Sequence, residues 1–218
     1  MQLTGKIINF LGDSITYGHG VSDPQRRFTQ LIQEDCHLLR ANNYGISGTR
    51  IARQTQPSDP SFDQDFPSRV ERMDLDADLI VVFGGTNDFG HGDAPLGCPS
   101  DRGADTFSGS CHVLMRRLIT RYPGKPVVIC TPLHRLGEDS LFGDGSKAQP
   151  AAPLVDYVDV LRRTARHYAL PVLDLYAVSG IQPELEIIRE RFCPDGLHPN
   201  DAGHRLLADR MIGFLQSL

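Results

Sequence analysis

The sequence predicts an α/β fold, a parallel sheet covered by helices on both faces. Three observations predict it. Short unbroken apolar runs recur along the chain, the clearest being Leu79-Ile80-Val81-Val82-Phe83, which is β-branched and of strand length. Between the runs lie stretches with apolar residues at helical spacing, such as Phe28, Leu31, Ile32, Cys36 and Leu39. The runs are apolar throughout rather than alternating, which suits strands buried on both faces, and strand–helix alternation suits parallel pairing.

In chain order, the first strand is Ile7, Ile8, Phe10 and Leu11, with Asn9 its one polar member, and it ends at Gly12-Asp13-Ser14. A helix is predicted over Arg27 to Leu39, then a short strand over Ala41 to Tyr44 that ends in Gly45-Ile46-Ser47-Gly48. The polar, proline-bearing stretch 54–67 reads as loop, and Ser68 to Met73 as a short helix. The third strand, Leu79 to Phe83, ends in Gly84-Gly85-Thr86-Asn87-Asp88. His91 to Ser110 is glycine-rich without periodicity and reads as a long loop, followed by a helix over Cys111 to Tyr122. Val127 to Thr131 is a fourth strand, ending at Pro132-Leu133-His134-Arg135, and Leu136 to Pro153 is a second long loop. An amphipathic helix over Leu154 to Tyr168, a fifth strand over Val172 to Leu175 and a helix over Leu185 to Arg191 follow. Asn200 or Asp201 caps a final helix through Leu215. There is no internal repeat and no linker-like composition, so residues 1–218 read as one domain.

Composition excludes several functions. The 218 residues are 40% hydrophobic and 22% charged, as in ordinary globular proteins. A net charge of -5 without a Lys/Arg cluster argues against a nucleic-acid partner. No apolar run is long enough to span a bilayer, and the first residues lack a secretory-signal pattern, so the expected location is cytoplasmic. Cys36, Cys98, Cys111, Cys130 and Cys193 have no zinc-ribbon spacing and read as reduced structural thiols. Cys98 and Cys111 flank one loop and could pair in an exported protein.

Ligands of open α/β sheets bind at the carboxyl ends of the strands, and that is where the polar blocks fall. Taken singly they are bland. Ser14 could be a turn former or helix cap, Gly48 a turn glycine and Asn87 a turn asparagine. Asp195-x-x-His198 could be a cap pair, or a metal fragment with Cys193. Together, Gly12-Asp13-Ser14-Ile15-Thr16, Gly45-Ile46-Ser47-Gly48, Gly84-Gly85-Thr86-Asn87-Asp88 and Asp195-Gly196-Leu197-His198-Pro199 resemble the four blocks of the SGNH (GDSL-type) hydrolase family, in order and over nearly the whole chain. The family's named residues fall on Ser14, Gly48, Asn87 and His198.

The resemblance implies a flavodoxin-like three-layer α/β/α sandwich with a five-stranded parallel sheet, and a serine esterase. It makes Ser14 the nucleophile and His198 the base. Asp195, three residues before His198, is placed to reach one ring nitrogen and leave the other for Ser14. The oxyanion hole takes the backbone N–H groups of Ser14 and Gly48 and the side-chain amide of Asn87. Asp13 is a rival triad acid, but in the family that aspartate is structural. His134 follows a strand's carboxyl end and is a candidate substrate contact, whereas His19, His91 and His112 read as surface histidines. No metal and no cofactor is expected. The expected partner is a small ester, an acetylated sugar first, because Gly90 to Ser110 is dominated by Gly, Asp and Ser and no amphipathic lid is visible there or in Leu136 to Pro153. A thioesterase or lysophospholipase would use the same residues. A non-catalytic sugar-binding protein and a metal-dependent hydrolase are the alternatives of other classes.

Overall fold

A computed structural model describes residues 1–56, 60, 61 and 63–218. The loop expected over 54–67 includes residues 57–59 and 62, which lie outside the described residues. In chain order the elements are β1 (Ile7–Gly12), α1 (Ser14–Tyr17), α2 (Phe28–Cys36), β2 (Arg40–Gly45), α3 (Phe66–Arg69), β3 (Leu79–Phe83), α4 (Thr86–Gly90) and α5 (Phe107–Arg121). They continue with β4 (Val127–Cys130), α6 (Leu154–His167), β5 (Val172–Leu173), α7 (Leu175–Val178), α8 (Glu186–Phe192) and α9 (Asp201–Ser217). Two 3₁₀ turns lie at Pro24–Arg26 and Val70–Arg72.

The five strands form one parallel sheet in the order β2-β1-β3-β4-β5. This is the flavodoxin-like order, and its switch point lies between β1 and β3. Side chains alternate across the sheet. Leu11, Ile80, Val82, Val127 and Ile129 face a layer that holds Phe107, Leu114, Leu118, Tyr157 and Leu161 of α5 and α6. Ile8, Phe10, Val81, Phe83 and Val128 face the opposite layer, with Phe28 and Ile32 of α2 and Leu207, Met211 and Leu215 of α9. Each large side chain buried in this way contributes about 1.5–3 kcal/mol. Asn9, the polar member of β1, is fully buried and fully used. Its Nδ2 donates to Asp74 O at 2.8 Å and to Tyr122 Oη at 3.2 Å, and its Oδ1 accepts from Asn42 Nδ2 at 2.8 Å.

Two expectations are corrected. α5 begins at Phe107, inside the stretch read as loop, where the Thr106 hydroxyl caps it by accepting from Gly109 N. Glycine and serine in its first turn hide the helical period. β5 keeps only Val172 and Leu173, and Leu175 starts α7. Within the Gly84–Asp88 block at the end of β3, Thr86 opens the helical turn α4, so Asn87 stands on a helix. Among the described residues no helix is long and apolar enough to cross a membrane.

Candidate active site

Ser14 stands at the carboxyl edge of the sheet because β1 leads directly into α1. Asp13 caps α1, its carboxylate accepting from Ile15 N at 3.0 Å. Burial pushes the Asp13 carboxyl up to about 7, against the pull of the Ile15 N–H and the Arg69 guanidinium. Arg69 is itself buried and ties two strand ends together, donating to Gly12 O at 2.9 Å and Tyr44 O at 3.1 Å.

The histidine arrives from the other end of the chain. In the turn before α9, Asp195 Oδ1 accepts from the backbone N–H groups of Leu197 (2.8 Å) and His198 (2.7 Å). Its Oδ2 lies 2.7 Å from His198 Nδ1, and His198 Nε2 lies 3.1 Å from Ser14 Oγ. Three contacts clasp this turn and the start of α9 to the segment that runs from α1 into α2. Ser22 donates through N and Oγ to the two carboxylate oxygens of Asp201, at 2.8 and 2.5 Å. Phe28 N donates to His204 Nδ1 at 3.1 Å. Gly20, with φ 97°, packs so closely that a Cβ there would sit 2.5 Å from Pro199 O. A side chain at residue 20 would push the His198 turn away from Ser14.

Two charges are tuned in this arrangement. Burial lowers the His198 pKa below 6.5, and nearby His19 and Arg135 lower it further, while Asp195 opposes them. The imidazole is therefore neutral at neutral pH. Burial alone would raise Asp195, but the His198 and Leu197 N–H groups and the His198 ring outweigh it and hold the carboxyl below its usual range. An ionised Asp195 fixes the proton on Nδ1, which leaves Nε2 as acceptor for the Ser14 hydroxyl.

The second and third blocks meet beside the first at the strand ends. Gly48 has φ 75°, a left-handed conformation that glycine adopts without strain. Asn87, in the first turn of α4, donates through Nδ2 to Thr49 O at 3.0 Å. An amide carries two N–H donors, so a second remains. Asp88 locks the same two segments together, accepting from Ile51 N at 2.9 Å and Ala52 N at 2.8 Å. Burial pushes its carboxyl up to about 6, against those two N–H groups.

The remaining histidines differ from their sequence reading in part. His19 is exposed, as expected, but its ring centroid lies 4.3 Å from that of His198. His91 is half-buried against Arg50, whose guanidinium also pairs with Asp63. His112 sits on α5 beside Tyr168 and His167. His134 packs on the Tyr176 ring, with Nδ1 2.8 Å from Glu138 Oε1. Among the described residues no three His, Cys, Asp or Glu side chains are grouped as metal ligands. The sequence did not single out Arg69, Asp88, Arg135 or Lys147. The one available signal was Asp88, a carboxylate one residue beyond a strand-end asparagine.

With this geometry in view, comparison with known proteins is informative. The sequence model of the GDSL-like Lipase/Acylhydrolase family matches residues 10–206. No curated protein sequence matches the chain. A solved protein from Lactobacillus plantarum is 31% identical over 98% of both chains, with a TM-score of 0.83. A lipase/acylhydrolase from Enterococcus faecalis is 21% identical, with a TM-score of 0.67, over 97% of this chain and 96% of its own. A two-domain esterase active on acetylated mannans is 23% identical, with a TM-score of 0.64, and 97% of this chain covers 48% of it. The match over most of the sequence places the chain in the GDSL-like lipase/acylhydrolase family, and it is a carboxylic ester hydrolase.

Proposed function

We propose that the chain hydrolyses a small acyl ester through Ser14 as nucleophile, His198 as general base and Asp195 as the group that orients His198. The observation that carries this reading is the unbroken line from Asp195 Oδ2 to His198 Nδ1 (2.7 Å) and from His198 Nε2 to Ser14 Oγ (3.1 Å). His198 takes the Ser14 proton as Oγ attacks the carbonyl carbon, and returns it to the leaving alcohol when the tetrahedral centre collapses. Water then repeats the sequence on the acyl-serine. The developing oxyanion is held by the N–H groups of Ser14 and Gly48 and the free N–H of Asn87. The test is hydrolysis of p-nitrophenyl acetate by the wild-type protein and by Ser14→Ala.

The neutral imidazole sets the acid limit of the reaction. Only the unprotonated ring accepts the Ser14 proton, so activity is complete above the His198 pKa and lost below it. Since that pKa is lowered from 6.5, kcat/KM should fall with unit slope through a midpoint below 6.5. A midpoint above 6.5 would remove His198 as the base.

The substrate we favour is an acetylated carbohydrate. Supporting it are the polar Gly90 to Ser110 loop and a fold shared with an esterase active on acetylated mannans. One observation favours a second reading, a longer-chain ester, thioester or lysophospholipid. The second loop does carry apolar surface, contrary to expectation: Leu136, Leu141 and Phe142 are 41%, 48% and 46% exposed, and Leu136 N donates to Gly196 O beside the Asp195 turn. An acyl series separates the two. The acetylated-carbohydrate reading requires kcat/KM to fall from acetyl to octanoyl esters of p-nitrophenol, and a steady rise selects the second. The five free thiols, with Cys98 exposed and Cys111 buried in α5, are compatible with the reducing cytoplasm.

A further inference from the structure

A helix of five residues cannot hold itself together, because nucleation costs more than a single turn returns. α4 is such a helix, and it carries Asn87. An α-helix leaves its last four carbonyls without intrahelical partners, which in a helix this short is nearly all of them. Asn87 O is satisfied locally, by His91 N at 3.0 Å and Gly92 N at 2.8 Å. Three of the others, those of Thr86, Asp88 and Gly90, are met from a segment some fifty residues later. Arg135 Nη1 donates to Thr86 O at 3.3 Å and Thr86 Oγ1 at 3.4 Å, and its guanidinium lies 5.3 Å from the Phe89 ring centroid. Asp144 N donates to Gly90 O at 3.0 Å. Lys147 Nζ donates to Asp88 O at 2.8 Å and Gly92 O at 2.6 Å, with Tyr157 Oη of α6 at 3.4 Å.

The two cations also oppose the negative pole at the carbonyl end of α4. Arg135 is only 7% exposed and forms no ion pair among the described residues. Burial lowers its pKa, and the carboxylates of Asp144, Asp195, Asp13 and Glu138 oppose that from a distance. Among the described residues the one that its guanidinium hydrogen-bonds directly is Thr86 of α4. The second long loop thus does more than border the site.

We infer that residues 135–147 are the mount of the oxyanion donor, with Lys147 and Arg135 as positioning residues that act on Asn87 through α4. This rests on Asn87 being an oxyanion donor. An amide held by α4 is aimed only as well as α4 is fixed, and a displacement near 1 Å costs about 10²-fold in rate. The ground-state ester needs that aim far less than the charged tetrahedral centre does.

A double-mutant cycle tests the mount, with Asn87→Ala and Lys147→Met made singly and together. The measurements are kcat, KM, melting temperature and affinity for phenylboronic acid, which forms a tetrahedral anion on a serine hydroxyl. Lys147→Met should lower kcat by about 10- to 10²-fold, leave KM in place and weaken the boronate by a similar factor. In the Asn87→Ala background it should have almost no further effect on kcat. Lys147→Arg, which keeps charge and donors, should recover most of the loss. Arg135→Lys taken through the same cycle gives an independent reading if Lys147→Met does not fold. Equal effects of Lys147→Met in both backgrounds, or a lower melting temperature with unchanged kcat, would overturn the mount alone. An Asn87→Ala protein with unchanged kcat would overturn the donor assignment and the mount together.

Discussion

Ser14→Ala should lower kcat on p-nitrophenyl acetate by about 10⁶-fold, the scale of losing the nucleophile of a triad. The substitution removes one atom, Oγ, whose recorded partner is His198 Nε2 at 3.1 Å. Everything that positions residue 14 is backbone or belongs to neighbours: the Asp13 cap on Ile15 N, the Arg69 bond to Gly12 O and the strand pairing of β1. Alanine is also a good helix former at the first position of α1. Stability should therefore change by no more than about 1 kcal/mol, the scale of one lost hydrogen bond. The backbone N–H of residue 14 survives, so a residual rate from transition-state binding without a nucleophile is expected. Turnover within tenfold of wild type, in a preparation free of other esterases, would remove Ser14 as the nucleophile.

The second large effect is expected at Asp195. Asp195→Asn should cost about 10⁴-fold in kcat through the wrong tautomer. An asparagine there can still accept from Leu197 N and His198 N through its oxygen, so the turn keeps its shape. Its amide then donates to His198 Nδ1. The ring proton moves to Nε2, which can no longer accept from Ser14. Asp13→Asn is the control. Asp13 is fully buried, and its recorded bond goes to Ile15 N, which an asparagine oxygen can also accept. Any loss of activity there should follow a loss of melting temperature. A severe kcat defect in Asp13→Asn with normal stability, beside a mild one in Asp195→Asn, would move the acid to Asp13.

How far the sequence could be read follows from the range of the forces involved. β3 was legible because five consecutive apolar residues leave few alternatives to a buried strand. β5 was overextended because Val172 to Leu175 contains too few residues for strand and helix periods to differ. The start of α5 was missed because serine and glycine dominate its first turn. Ser14, Asp195 and His198 announced themselves through local blocks, and the structure brings them within bonding distance. Asn87 could be named in the same way, but what steadies it could not. Lys147 reaches Asp88 O across 59 positions of sequence, and Arg135 reaches Thr86 across 49. Nothing near either cation in the chain marks the carbonyls that it serves. The apolar residues of the second loop were visible in sequence, but their exposure depends on how that loop packs against Gly90.

The clasp between the loop after α1 and the start of α9 has a consequence for biosynthesis. Ser22 and Asp201 are separated by 179 positions, and the imidazole opposite Ser14 lies in the turn just before Asp201 opens the last helix. A ribosome that has translated only as far as Phe192 has made every strand of the sheet and the serine, but neither the histidine nor the partner that seats it. The nascent chain can thus collapse around its sheet while still unable to cleave an ester. With the proposed triad, hydrolysis has to wait until α9 has emerged and docked.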